Sequence, residues 1–292
     1  MGEGHVMAGT LYVVATPIGN LEDVTLRALR VLNEVDVIAC EDTRHTRVLL
    51  SRHGIATPLV SYHEHNEAAR AAELVSRLER GESVALVSDA GMPLVSDPGY
   101  PLITLAVARS IPIVAIPGPS VVTAALAVSG LPAERFLFAG FLPRKPAERR
   151  RAIETLAGIP YTLVFFEAPH RIAATLADLQ AALGRRRVAI VRELTKRFEE
   201  VVRGDIGEVV EHFGTRQPRG EFTVVVEGAA PGAGGREASD AVLREHLDTL
   251  LGSGVAPSAA ARIVAGAHRV PRRTAYRMAL ELREQGTGNR ER

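Results

Sequence analysis

Between Thr10 and Gly130, short β-branched runs alternate with helical stretches. TLYVVA (10–15) is followed by LEDVTLRALRVL, and VDVIA (35–39) by DTRHTRVLLSRHG. SVALV (83–87) leads through a loop to YPLITLAVARS, and IPIVAIP (111–117) to GPSVVTAALAVSG. A helix between two strands carries the chain back to the edge where it started, so this alternation predicts an α/β sheet with parallel strands. After Phe136 the texture changes. RFLFAGF, YTLVFFE, RRVAIVREL, EEVVRG and GEFTVVVEG read as closely spaced strands, with helices at 146–157, 169–183 and 206–213. That pattern predicts a second α/β domain with a more mixed sheet.

The division expected from sequence is a flexible start (1–9), an N-terminal α/β domain (10–120), a C-terminal α/β domain (121–228), a linker (229–238) and a helical tail (239–292). The linker reads GAAPGAGGREAS with its flanks, a flexible composition. In the tail, PSAAARIVAGAHRV and PRRTAYRMALELREQG are two helical segments joined by a short turn, a helix-turn-helix pattern. From Arg262 to Arg292 there are eight arginines and three glutamates, against a formal charge of +1 for the 292 residues. Two further basic clusters, Arg144-Lys145 with Arg149 to Arg151 and Arg185 to Arg187, lie in the body. Each alone reads equally well as a solvated face; together with the tail they point to a polyanionic partner. One cysteine, Cys40, excludes an internal disulfide. The apolar runs are too short to span a bilayer, and MGEGHVMAG lacks the features of a secretory signal, so the expected place is the cytoplasm.

Three loops follow three of the strands: TPIGN (16–20), SDAGMPLVSDPG (88–99) and PGPS (117–120). Ligands of open parallel sheets bind beyond the carboxyl ends of the strands. Glycine lets backbone approach a ligand closely and proline fixes the loop. One such loop is an ordinary turn; three on one edge predict a pocket built largely of backbone. No G-x-G-x-x-G follows a strand, and there is no P-loop. His63 and His65 lack a third ligand at zinc spacing. Asp89 and Asp97 read either as magnesium ligands or as turn caps.

TPIGNLEDVTLRAL, CEDTRHTRVLL, YHEHNE, SDAGMPLVSDPG, PGPS, FLPRK, FEAPHR, RELTKRFEE and GEF stand in this order from Thr16 to Phe222. In these stretches the chain resembles the tetrapyrrole methylase family, enzymes built from two α/β domains with the cofactor cleft between them. The resemblance is nearest to the branch that methylates ribosomal RNA. It implies S-adenosylmethionine as cofactor and 2′-O-methylation of a decoding-centre cytidine in 16S ribosomal RNA, free or in the small subunit, by a homodimer. Met92 departs from the family's pattern, where a small polar residue is expected. The cofactor contacts it implies are Pro17, Ile18, Ala90, Gly91, Met92, Val95, Ser120, Val121, Phe166, Glu167 and Thr223, with Asp89 added on position alone.

Methyl transfer to a ribose hydroxyl needs an acceptor for the hydroxyl proton. Asp42, His63 and Asp97 are candidates, with Lys196 as an electrostatic helper. Arg144, Lys145, Arg269, Arg272, Arg273 and Arg277 are expected to meet RNA, through phosphate contacts in the tail. A methylase of a small tetrapyrrole on the same fold is the competing reading, and it leaves the basic tail without a task.

Overall fold

The structure, a computed structural model, describes residues 8–214, 219–230, 240–252, 255–268 and 270–288. By contacts the chain divides into two compact units. One holds residues 1–149 and 162–227, the other residues 150–161 and 228–292.

The first unit contains two five-stranded sheets. The first sheet has strands β1 (Leu11–Val14), β2 (Val37–Cys40), β3 (Leu59–Ser61), β4 (Val84–Val87) and β5 (Ile113–Ile116), in the order β3-β2-β4-β1-β5. All four pairings are parallel, as the alternation predicts. β2 and β4 are buried along their whole length, because helices cover both faces of the sheet. The helices are α1 (Leu26–Glu34), α2 (Thr43–Arg52), α3 (Glu67–Glu79), α4 (Tyr100–Ala108) and α5 (Val121–Ser129). Thr25 and Asp42 start α1 and α2 by accepting hydrogen bonds from the Ala28 and Arg44 backbone N–H groups at 3.1 and 2.8 Å. Two cores result. Leu11, Leu74, Leu78, Leu86 and Leu102 pack on one face, and Val14, Leu32, Ile38, Cys40 and Ile116 on the other. Cys40 is a fully buried core residue.

The second sheet has β6 (Phe136–Phe141), β7 (Thr162–Glu167), β8 (Arg187–Arg192), β9 (Glu200–Asp205) and β10 (Phe222–Val226), in the order β6-β7-β10-β8-β9. Only β6 and β7 pair parallel; the other pairings are antiparallel, so the sheet is mixed as expected. Its helices are α6 (Pro146–Leu156), α7 (Ile172–Leu183) and α8 (Ile206–Gly214). α6 crosses the division between the units, which falls at Arg149 and Arg150. α5, although it follows β5 in the chain, lays Val122, Ala125 and Leu126 against Val164, Ala189 and Val225 of the second sheet.

The second unit carries α9 (Asp240–Gly252), α10 (Pro257–His268) and α11 (Arg272–Gly288), packed around Leu243, Leu247, Val264 and Met278. No helix among the described residues is long and apolar enough to cross a membrane.

Candidate functional site

The loops after β1, β4 and β5 leave the first sheet from three neighbouring strands, at their carboxyl ends. Thr16 and Gly91 join the first two loops as an isolated bridge. The Thr16 N–H donates to the Gly91 carbonyl at 2.9 Å, and the Gly91 N–H returns to Thr16 at 3.1 Å. Thr16 Oγ1 donates to the Ser88 carbonyl at 3.0 Å, and Ser88 Oγ to the Gly91 carbonyl at 3.2 Å. Gly91 has φ +82°, a conformation that suits glycine and strains residues with a Cβ. Leu94 and Ser96 also have positive φ, +72° and +68°. Strained backbone of this kind costs on the order of 1–3 kcal/mol per residue and gathers at functional sites. Here it sets the position of the next residue, Asp97.

These loops form one side of a cleft of about 330 Å³. Ile18 comes from the first loop, and Ala90, Gly91, Met92 and Val95 from the second. Ser120 and Val121 come from the start of α5, Phe166 and Glu167 from the end of β7, and Thr223 from β10. Ten of the twelve residues expected at the cofactor thus line one cavity. Pro17 and Asp89 lie outside the lining; Asp89 Oδ1 instead accepts a hydrogen bond from the Asp42 N–H at 3.1 Å. The lining also includes residues that sequence reading did not single out, notably Phe141 and Glu221. The Phe166 ring meets those of Phe138 and Phe141 edge to face, at centroid distances of 4.8 and 5.5 Å.

Glu167 is tied down behind the wall. Oε1 accepts from the Ala168 N–H at 2.8 Å, and Oε2 from the Thr175 hydroxyl and from Arg171 Nη2. Arg171 Nη2 also donates to the Leu142 and Pro143 carbonyls at 2.7 and 3.2 Å, linking the cleft to the FLPRK loop. Arg171 Nε lies 3.1 Å from Oε1 without the alignment of a hydrogen bond.

The three proton-acceptor candidates and the helper Lys196 separate. Only Asp97 lines the cleft. Burial, the nearby Glu41 charge and, more weakly, Asp89 push its carboxyl up to about 6, against an opposing hydrogen bond from Ser88. Asp42 caps α2 and holds Arg44 through both oxygens; hydrogen bonds from the Arg44 side chain and backbone hold it down at about 2. His63 belongs to the turn before α3. Its N–H donates to Asn66 Oδ1 at 2.9 Å, its Nε2 lies 3.2 Å from Asn66 Nδ2, and its Nδ1 is buried without a partner. Lys196 donates to Glu193 at 3.2 Å and Glu221 at 2.8 Å. Burial lowers the Lys196 pKa, but the bonds to Glu221 and Glu193 outweigh it and leave it raised.

The basic clusters are less free than their spacing suggests. Arg149 is buried against Asp178 at 2.7 Å, while Arg185 and Arg187 pair with Asp205 and Glu227. Arg144 and Lys145 are exposed, Lys145 paired with Glu148 at 3.0 Å. Arg272, Arg273 and Arg277 are exposed on α11; Arg269 lies outside the described residues. No group of three or more His, Cys, Asp or Glu among the described residues is placed to hold a metal ion.

The family described as Tetrapyrrole (Corrin/Porphyrin) Methylases matches residues 10–210. A protein of Synechocystis sp. named ribosomal RNA small subunit methyltransferase I is 44% identical over 279 residues, 95% of this chain and 100% of that protein. One of the same name from Xylella fastidiosa is 47% identical over 271 residues, 92% of this chain and 98% of that one. Among solved structures, uroporphyrin-III C-methyltransferase from Thermus thermophilus, complexed with S-adenosylhomocysteine, superposes with a TM-score of 0.53 at 22% identity, covering 75% of this chain and 97% of that one. At that identity the likeness carries the fold.

Proposed function

This chain belongs to the tetrapyrrole methylase family, and from that premise we propose that it methylates the 2′-hydroxyl of a cytidine ribose in 16S ribosomal RNA, cytidine 1402, with S-adenosylmethionine as methyl donor. The observation that carries the reading is the cleft itself. Its volume of about 330 Å³ falls in the range of small-ligand sites, and its charged lining residues, Asp97, Glu167 and Glu221, are all acids. Among the described residues no cation lines the cleft, so a positively charged ligand meets no like charge there. When bound, S-adenosylmethionine supplies an electrophilic methyl group on a sulfonium.

Ile18, Ala90, Gly91, Met92, Val95, Ser120, Val121, Phe166, Glu167 and Thr223 would hold the cofactor, with Pro17 and Asp89 supporting the loops from outside the lining. Gly91, pinned to Thr16, offers backbone rather than a side chain, and Phe141 with Phe166 makes an aromatic wall. Walls of backbone and apolar groups do not fix the positive charge as an ion pair would; an ion pair favours the ground state. Orientation of the hydroxyl supplies much of the rate, about 7–11 kcal/mol in favourable cases. Asp97 accepts the hydroxyl proton at a carboxylate oxygen. A carboxyl with its pKa near 6 is ionised at neutral pH yet more basic than an ordinary aspartate.

Arg144, Lys145, Arg272, Arg273 and Arg277 would meet RNA phosphates, and Arg269 is assigned with them on sequence alone. The two α/β domains divide at residue 120, and the tail from residue 239 is a further RNA-gripping element. A homodimer is supported by α4, whose sequence YPLITLAVA has no charge while Tyr100 and Val107 stand exposed on it. The place of action is the cytoplasm. The test is transfer of labelled methyl by the purified chain to small subunits from cells lacking its gene. Label in one cytidine ribose of 16S RNA is expected; label on a porphyrin-type substrate and none on RNA would overturn the proposal.

A further inference from the structure

The RELTKRFEE stretch takes no part in the cofactor contacts, yet its backbone is tightly held. Glu193 and Thr195 have φ +50° and +64°, left-handed conformations in non-glycine residues two positions apart. Leu194 between them is buried in the core under α5. Thr195 Oγ1 accepts from the Asn20 N–H at 3.1 Å, and the Thr195 N–H donates to Glu199 at 2.6 Å. The first cofactor loop is pressed onto this segment: a Cβ on Gly19 would lie 2.6 Å from Lys196 Cγ and 2.8 Å from Thr195 Oγ1. The strained loop and the cofactor loop are therefore one rigid piece.

That piece carries a groove of about 560 Å³ lined by Gly19, Asn20, Glu22, Arg52, Lys196 and Arg197, among others. Its lining has three cations and one acid. Lys196 is held by Glu193 and Glu221, but the Arg52 side chain makes no ion pair or hydrogen bond among the described residues, and Arg197 has its guanidinium carbon over the Phe198 ring, 5.6 Å from the centroid. Phe198 is 66% exposed. A strained, immobilised loop that presents an exposed aromatic ring beside guanidinium groups held by no carboxylate among the described residues is built to meet a strand with π-faces and phosphates. The groove borders the cofactor cleft at two points. Ile18 lines the cleft and the adjacent Gly19 the groove; Glu221 lines the cleft while its carboxylate holds Lys196 of the groove.

We propose that this groove, together with the exposed Phe198 next to its lining residue Arg197, binds the single-stranded RNA flanking the target nucleotide, with a base stacked on Phe198 and phosphates on Arg52 and Arg197. The proposal rests on the RNA-methylating reading above and adds a site to it. A stacked flank beside the cleft fixes which nucleotide enters, whereas phosphate contacts farther away set affinity alone.

The experiment uses the full chain, small subunits from cells lacking its gene as substrate, and calorimetry with S-adenosylmethionine as control. Phe198→Ala is expected to raise KM for subunits about fivefold or more, the loss of one stacked base, and Phe198→Tyr to restore it. Arg52→Ala with Arg197→Ala is expected to raise KM and to flatten its log–log salt slope by about 1.4, two contacts at about 0.7 each for single strands. Cofactor affinity should match the wild type in every variant. If the wild type methylates subunits and the variants keep its KM and salt slope, the groove is no RNA site. If cofactor affinity falls together with subunit affinity, the loop serves packing and the proposal fails. If the wild type itself leaves subunits unmethylated, the RNA reading falls and the groove site with it.

Discussion

Replacing Asp97 with Asn removes the charge and keeps the shape, and the structure sets opposite signs for its two effects. On activity, the proton acceptor is lost, a contribution of about 10²- to 10⁴-fold in comparable sites. On stability, the native carboxyl titrates at about 6 against an ordinary 3.8, raised by burial and by the Glu41 and Asp89 charges. The folded state thus holds the proton more tightly than the unfolded chain. Stability contributed by this residue is present below pH 3.8 and is lost as pH rises through about 6. The full gap corresponds to about 3 kcal/mol at neutral pH. Asp97 is only half-buried and solvent screens part of the interaction, which leaves on the order of 1–2 kcal/mol. Asp97→Asn should therefore be more stable than the wild type at pH 8 and equal to it near pH 4 in urea unfolding, while its kcat falls at least a hundredfold. In the wild type, kcat/KM should fall about tenfold per pH unit below pH 6. An Asn variant with wild-type activity, or a wild-type rate flat from pH 5 to 8, would refute the assignment of Asp97 as acceptor.

Gly91→Val should lower S-adenosylmethionine affinity at least tenfold in calorimetry without unfolding the chain, because φ +82° strains a β-branched residue in the loop that meets the ligand. Arg171→Ala leaves the fully buried Glu167 with the Thr175 and Ala168 donors but no cation, and should cost about 3 kcal/mol in chemical denaturation. Arg272→Ala with Arg273→Ala should weaken binding to small subunits in a salt-dependent way and leave the methylated nucleotide and cofactor affinity unchanged, as checked by filter binding and mass mapping.

The fold was legible where burial is uniform. VALV and VIAC are apolar on both faces because helices cover both sides, and such runs announce themselves. β3 was not read as a strand: it has three residues, Leu59, Val60 and Ser61, each only partly buried at the sheet edge. α3 is legible only in part: EAARAAELVSRLE repeats apolar residues at helical spacing, but four of its positions are alanines and its start is masked by the polar turn YHEHNE. In the cleft, the glycine-rich loops could be assigned because backbone approach demands glycine and proline locally. Phe141 and Glu221 could not, since Phe141 reaches the site by pairing with Phe166, and Glu221 by preceding Phe222, which pairs with Glu167 far back in the chain. The same distance hid the partner of Arg149: Asp178 lies 29 residues on, so a buried ion pair looked like part of a basic patch.

The central claim is the identity of the methylated group. Mass mapping of 16S ribosomal RNA from cells with and without the gene tests it most directly. Loss of a single methyl on the ribose of cytidine 1402 in the deletion, restored by the wild-type chain and not by Asp97→Asn, is the expected result. An unchanged 16S methylation pattern in the deletion would contradict the account.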